Sequence, residues 1–156
     1  VLVNLGILDK PYNFLTQPFA AKIVIILALL WRWTGYNMVF FLSGLQNIEY
    51  SVYEAAKIDG ASAIQTFFKI TVPLLKPTIL LTAIMSTNGT LQLFDESVNL
   101  TDGGPANASI SMSHYIYNLC FKYVPNFGYA AAMSFFILLL VAVLAFIQMR
   151  VGDKRD

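Results

Sequence analysis

Long apolar runs alternate with shorter polar segments along this chain. Three of the runs approach the roughly 20 residues that a helix needs to cross a bilayer, at about 19–45, 77–94 and 129–149. The last run is the cleanest, because no charged residue interrupts it between Phe135 and Ile147. The pattern therefore predicts an all-α membrane protein with three transmembrane helices, joined by polar loops at 46–76 and 95–128.

The composition supports this prediction. Hydrophobic residues make up 57% of the chain and charged residues 12%, and the mean hydropathy is +0.63. Soluble domains carry roughly a quarter charged residues, so these values indicate a membrane protein. The chain opens on Val1 and has no basic leader followed by a small-residue cleavage site, and we expect sequence upstream of it to be missing.

Charge and single residues argue against two classes of function. The net charge is +1, so the chain lacks the basic field expected of a nucleic-acid-binding protein. Cys120 and His114 are each alone of their type, which excludes an intrachain disulfide and a cysteine metal cluster. We therefore predict no metal site and no nucleic-acid partner.

The distribution of Lys and Arg predicts the orientation, since cytoplasmic loops carry the excess of both. One side of the predicted membrane holds Lys57, Lys69, Lys76, Arg150, Lys154 and Arg155. The other side holds Lys10 and Lys122. We expect the 46–76 loop and the C-terminus to be cytoplasmic, and 1–18 and 95–128 to face outward.

A charged segment with helical character runs from Glu54 to Pro73 between the first two apolar runs. Two alanines follow Glu54 and would let the backbone approach a partner closely, while the carboxylate could form a charge-assisted bond. Gly60 suits the left-handed residue just past a helix end. Ser62 suits the N-cap of a following helix. A connector without a partner is the alternative, and for the Glu-Ala-Ala tripeptide alone it is the better one.

The longer spacing is more specific than the tripeptide. It resembles the EAA loop of ABC importer permeases, with Val72 where that family usually has Leu; the matching positions are Glu54, Ala55, Ala56, Gly60, Ile70 and Pro73. This resemblance implies that Glu54, Ala55, Ala56, Asp59 and Gly60 dock onto an ATPase subunit.

The resemblance extends over nearly the whole chain and is narrower than ABC permeases in general. Residues 44–48 are similar to the span exit of maltose-type sugar permeases, although Glu49 replaces the usual Pro. Phe94-Asp95, the stretch 100–105 and the stretch 127–131 resemble later segments of the same subfamily. The chain is accordingly identified as a single transmembrane domain, residues 1–156, that forms the C-terminal half of a six-span permease.

This resemblance also implies partners. They are ABC ATPase subunits, a second permease subunit, an extracytoplasmic solute-binding protein, a sugar and the lipid bilayer of a bacterial or archaeal plasma membrane. ATP and Mg²⁺ would be used by the ATPase. The chain itself has no Gly-x-x-x-x-Gly-Lys-Ser/Thr loop, so we predict no enzyme activity and no cofactor here.

Polar and small residues in the predicted spans are candidates for the substrate path. They are Tyr36 and Asn37 in the first span and Ser86, Gly89 and Thr90 in the second. These groups could bond sugar hydroxyls, or the small ones could serve only helix packing. Arg32 either faces the bundle or a cavity, because a charge in mid-span costs about 2.5–3.5 kcal/mol, or it extends to the interface among neighbouring indoles.

The outward segment 95–128 is too long for a plain turn. Gly103, Gly104 and Pro105 predict a sharp bend, and residues 109–122 could form an amphipathic helix at the membrane surface. The segment could contact the solute-binding protein or act as a lid on its own bundle. Both interpretations stay open.

Three other functions compete with sugar import by an ABC permease. An ion-driven secondary transporter would be expected to carry paired acids inside its spans, which this sequence lacks. A membrane-embedded enzyme could use Arg32 with Asp95 or Glu96, but no nucleophile and base stand at a recognisable spacing. An ABC permease for a solute other than a sugar is the third.

Overall fold

The computed structural model describes residues 13–152 of the chain, and these residues form helices and connecting turns without a β-strand. The contacts divide them into two units. The first comprises residues 13–31 and 92–137, and the second comprises 32–91 and 138–152. Val1, Lys10, Lys154 and Arg155, which entered the sequence predictions, lie outside the described residues.

Two long helices carry most of the apolar sequence. After a 3-10 turn at Phe14–Thr16, α1 covers Pro18–Gln46, and near the other end of the described chain α8 covers Phe127–Gly152. Both are long and apolar enough to cross a membrane. In the most apolar 18-residue stretch of each helix, only 6% is buried within the structure. Apolar surface of this extent is typical of helices that face lipid or further helices.

Short helices lie between α1 and the next long helix. They are α2 (Tyr50–Ile58), α3 (Ala63–Thr66), a π-helical turn π1 (Phe67–Thr71) and α4 (Val72–Leu74). The following helix, α5 (Lys76–Leu91), has 16 residues. It reaches the length and hydropathy of a span only together with residues Ala63–Leu74, from which it is bent by 65°.

The remaining helices belong to the first unit. They are α6 (Asp95–Thr101), α7 (Met112–Tyr117) and a second π-helical turn, π2 (Asn118–Lys122). The side chain of Ser111 caps α7 by accepting a bond from the His114 backbone N–H at 3.1 Å. The helix expected at 109–122 thus begins at Met112, because residues 102–110 form the tight turns around Gly103 and Gly104.

Candidate functional site

The end of α2 has the geometry that the sequence predicts for Gly60. Gly60 adopts φ +76°, its N–H bonds to the Lys57 carbonyl, and the Ala61 N–H reaches back to the carbonyl of Ala56 at 3.0 Å. This pair of bonds is a Schellman motif, which satisfies carbonyls that the helix end would otherwise leave open. The helix that carries the Glu-Ala-Ala sequence therefore has a defined stop.

The predicted docking residues are mostly at the surface of this helix. Glu54, Ala55, Asp59 and Gly60 are exposed, whereas Ala56 is buried. Asp59 is the C-cap residue, and its backbone N–H bonds to the Ala55 carbonyl. Glu54 is therefore accessible on α2, while Ala56, two positions further along, lies on the buried side of the helix.

A second helix start follows directly. The Ser62 hydroxyl accepts a bond from the Gln65 N–H at 3.3 Å, and the Gln65 side chain accepts one from the Ser62 N–H at 2.8 Å. This reciprocal arrangement is a capping box, so the N-cap expected at Ser62 is confirmed. The turn between α2 and α3 is fixed from both sides.

Within the second unit, polar side chains from α1 and α5 meet. Asn37 donates from Nδ2 to the Ser86 hydroxyl at 3.1 Å, and Ser86 donates to Asn37 Oδ1 at 3.2 Å. Both residues are half-buried. Nearby, the Tyr36 hydroxyl lies 4.0 Å from the sulfur of Met85. The structure thus brings together three of the five predicted path residues.

The fourth predicted residue, Gly89, is in contact with an aromatic ring that the sequence analysis did not assign to the path. A Cβ atom at position 89 would lie 2.5 Å from Cη2 of Trp33 and closer still to Cζ2, so only a glycine allows this approach. The Trp33 indole stands edge-on to Tyr36, with 5.4 Å between ring centroids. The buried indole Nε1 has no hydrogen-bond partner among the described residues.

The other two polar residues considered for this region are at its edge. Thr90 is exposed on α5. Arg32 is exposed as well, and its guanidinium carbon lies 5.6 Å from the centroid of the Trp33 ring, within the range of a cation–π contact. In this part of the second unit, half-buried indole, amide and hydroxyl groups therefore lie beside an exposed phenol and an exposed guanidinium.

A second polar cluster lies in the first unit, in the 95–128 segment. Ser97 and His114 are fully buried, and 2.9 Å separates Ser97 Oγ from His114 Nδ1. The Ser97 hydroxyl donates its one proton to the Ser109 carbonyl at 2.8 Å. His114 must therefore donate from Nδ1, which leaves Nε2 as the unprotonated ring nitrogen.

The exposed rim of this cluster is charged. Lys122 Nζ lies 2.6 Å from Asp102 Oδ1, and the same oxygen is 3.7 Å from His114 Nε2. The hydrogen bond to Lys122 lowers the pKa of Asp102 and raises that of Lys122. Burial lowers the pKa of His114, and its proximity to Asp102 only partly opposes this.

The predicted bend at Gly103, Gly104 and Pro105 surrounds this cluster. Gly103 has φ +80°, and a Cβ atom there would lie 3.2 Å from His114 Cε1. The Gly104 carbonyl accepts a bond from the Ser109 hydroxyl, and the Pro105 carbonyl accepts one from the Ala108 N–H. Serine, histidine and aspartate meet here, but Ser97 and His114 are completely buried, so we assign this cluster a role in holding the segment together.

No group of three metal-ligating side chains occurs among residues 13–152.

The all-α fold and its long apolar helices are those of a membrane protein. The sequence profile of the binding-protein-dependent transport system inner membrane components matches residues 1–155, and the chain belongs to this family. This match confirms the resemblance to ABC importer permeases and the predicted all-α membrane fold.

Individual relatives are permease proteins. The chain is 54% identical over 156 residues to the lactose transport system permease protein LacF of Rhizobium radiobacter, covering 99% of this chain and 52% of that protein. It is 36% identical over 155 residues to the trehalose/maltose transport system permease protein MalF of Thermococcus litoralis, covering 99% and 51%. The chain thus spans about half the length of these relatives.

Solved structures support the fold. A chain from the crystal structure of a bacterial ABC transporter involved in the import of the acidic polysaccharide alginate matches with a TM-score of 0.81 at 25% identity. The match covers 97% of this chain and 52% of that one.

Proposed function

We propose that this chain is part of the transmembrane permease subunit of an ATP-driven importer of mono- or oligosaccharides. The observation that supports docking is the exposure of Glu54 on α2, a helix whose end is defined by the Schellman motif at Gly60. A carboxylate held in this way can form a charge-assisted bond with an Arg or Lys of an ATPase subunit. Closure of the ATPases around ATP would then be transmitted to the spans and produce alternating access.

The sequence similarity to sugar permeases supports the choice of substrate. The relatives are named for lactose and for trehalose and maltose. The groups between α1 and α5 support it further. The Trp33 indole N–H is buried without a hydrogen-bond partner among the described residues, and Asn37 and Ser86 add an amide and a hydroxyl, which are group types that sugar sites use. Lactose is the first sugar to test, given the 54% identity to a lactose permease.

The remaining partners and the orientation belong to the same proposal. A second permease subunit, two ATPases and a solute-binding protein on the outer face would complete the importer. One of the matching solved structures is described as an alginate ABC transporter in complex with an alginate pentasaccharide-bound periplasmic protein. The Lys-rich 46–76 loop and the C-terminus face the cytoplasm, and the 95–128 segment faces outward.

Charge reversal at Glu54 tests the docking. In the complete transporter, Glu54→Lys should abolish co-purification of the ATPase and uptake of radiolabelled lactose, because a Lys would face the partner's cation. Glu49→Lys is the matched control, since Glu49 is also exposed and lies just before α2. Normal uptake and normal ATPase binding by Glu54→Lys would exclude the proposed docking through this carboxylate.

A further inference from the structure

One side-chain hydrogen bond joins the Glu-Ala-Ala helix to the helix that leads into α5. The Tyr53 hydroxyl lies 3.3 Å from Thr71 Oγ1, although the two residues are 18 positions apart. Tyr53 directly precedes Glu54 on α2, and Thr71 ends the π-helical turn π1. Thr71 is 6% exposed, so the contact lies in the interior of the loop.

The π-helical turn explains why Thr71 faces this way. Pro73 has no N–H and cannot bond to the carbonyl four residues before it, so the helix widens upstream of it. The Val72 N–H bonds to the Phe67 carbonyl, five residues back. Thr71 Oγ1 also lies 3.5 Å from the Thr66 carbonyl, so its hydroxyl can donate there while it accepts a bond from Tyr53.

The turn leads directly into a bend. The helices on either side of Leu75 differ in direction by 65°, and Leu75 is buried. Its side chain packs on α1 at Gly44, where a Cβ atom would lie 2.9 Å from Leu75 Cδ2. The bond between Tyr53 and Thr71 therefore stands between the docking helix and a bend already fixed against α1.

We propose that Tyr53 and Thr71 are positioning residues that make α2 and the start of α5 move together. This inference rests on the proposed function, because it assumes that the ATPase displaces α2. The turn at residues 59–62 connects α2 to the next helix along the chain, and without the bond α2 can shift more freely relative to π1. With the bond, a displacement of Glu54 reaches the bend at Leu75.

The test uses the assembled transporter in proteoliposomes and follows α5 directly. Cys120→Ser removes the thiol of this sequence and Ala83→Cys places a new one on α5, where residue 83 is exposed. A maleimide then reports the ATP-dependent change in labelling, while ATP hydrolysis is measured in the same vesicles. Tyr53→Phe and Thr71→Val should each reduce the labelling change roughly three- to tenfold, the effect of one net hydrogen bond, with hydrolysis retained.

Three variants separate this role from simple packing. Thr71→Ser keeps the hydroxyl and should behave as wild type. Tyr50→Phe removes the hydroxyl of an exposed tyrosine on the same helix and should have no effect. The double variant of Tyr53→Phe with Thr71→Val should be no worse than either single variant, because both remove the same bond.

The outcomes also separate this inference from the proposed function. Normal labelling change in Tyr53→Phe, equal loss in Thr71→Ser and Thr71→Val, or additive losses in the double variant would each overturn the positioning role alone. A wild-type complex with no ATP-dependent change in labelling would contradict the proposed function itself.

Discussion

The indole of Trp33 occupies the space that a side chain at position 89 would need. A methyl group at Gly89 would lie 2.5 Å from Cη2 of the ring, so Gly89→Ala must push the indole out of its place between α1 and α5. Overpacking of this kind costs about 1–3 kcal/mol. We expect Gly89→Ala to lower the thermal midpoint of the purified permease and to reduce lactose uptake.

Gly35→Ala is the control for this variant. Gly35 also lies in a long helix, but a Cβ atom there meets nothing within 4 Å. Alanine has the higher helix propensity by about 1 kcal/mol, so Gly35→Ala should leave the midpoint unchanged or raise it. Equal losses at both positions would show that the helices, and not the contact with Trp33, respond to the substitutions.

The reciprocal bond between Asn37 and Ser86 should couple α1 to α5. In a double-mutant cycle with Asn37→Leu and Ser86→Ala, we expect an interaction energy of about 0.6 kcal/mol and at most roughly 1.7 kcal/mol, as for other polar pairs in membranes. Unfolding in mixed micelles measures it. Ser43→Ala, at an exposed serine on α1, should show no coupling to Asn37→Leu.

The same cycle measured by uptake separates two roles of this pair. If Asn37 and Ser86 only hold the helices together, uptake should follow stability. If they also bind sugar, the concentration of lactose that gives half-maximal uptake should rise in both single variants. An unchanged half-maximal concentration would remove this pair from the substrate path.

The sequence predicts those features of the candidate sites that depend on neighbouring residues. The left-handed Gly60 and the N-cap at Ser62 depend on backbone rules that act within a few residues, and both are confirmed. The contact of Trp33 with Gly89 joins residues 56 positions apart. Its only sequence signal was a glycine in a polar helix face, and that signal does not identify the ring it accommodates.

The same distinction holds for the 95–128 segment. Its turn residues are visible in the sequence, and Gly103 does adopt positive φ. In the sequence His114 is only a lone histidine, because its partners Ser97 and Asp102 become its neighbours only when α6 and α7 pack together. The division of the chain into spans and loops, and its orientation, stay predictions.

The Schellman motif at Gly60 predicts a graded series of substitutions. Gly60 has open space around it, but its φ of +76° strains any residue with a Cβ atom. Gly60→Ala should weaken the end of α2 by about 1–2 kcal/mol, and Gly60→Asn should cost less because Asn tolerates this conformation. Hydrogen exchange of the Ala61 N–H, which bonds to Ala56, measures the effect. Equal protection in wild type and Gly60→Ala would contradict it.

The buried His114 predicts a loss of order in the 95–128 segment at mildly acidic pH. Burial lowers its pKa below the ordinary value of 6.5, so the unfolded segment takes up a proton before the folded one does. The stabilisation is fully present above pH 6.5 and declines as the pH falls from there toward the lowered pKa. Asp102 and Lys122 face the ring, but their pKa values are shifted away from this window, so their contributions are lost only at more acidic and more alkaline pH, respectively.

Hydrogen exchange of residues 112–122 between about pH 7.5 and 5, corrected for intrinsic rates, measures this decline. His114→Asn removes the titrating ring and keeps an amide that can donate toward Ser97, so its protection should vary little across the window. Ser97→Ala leaves the buried Nδ1 donor without its acceptor and should lower protection at every pH, by about 1–3 kcal/mol. A parallel decline in wild type and His114→Asn would assign the pH response to groups other than this histidine, because the variant has no imidazole to titrate.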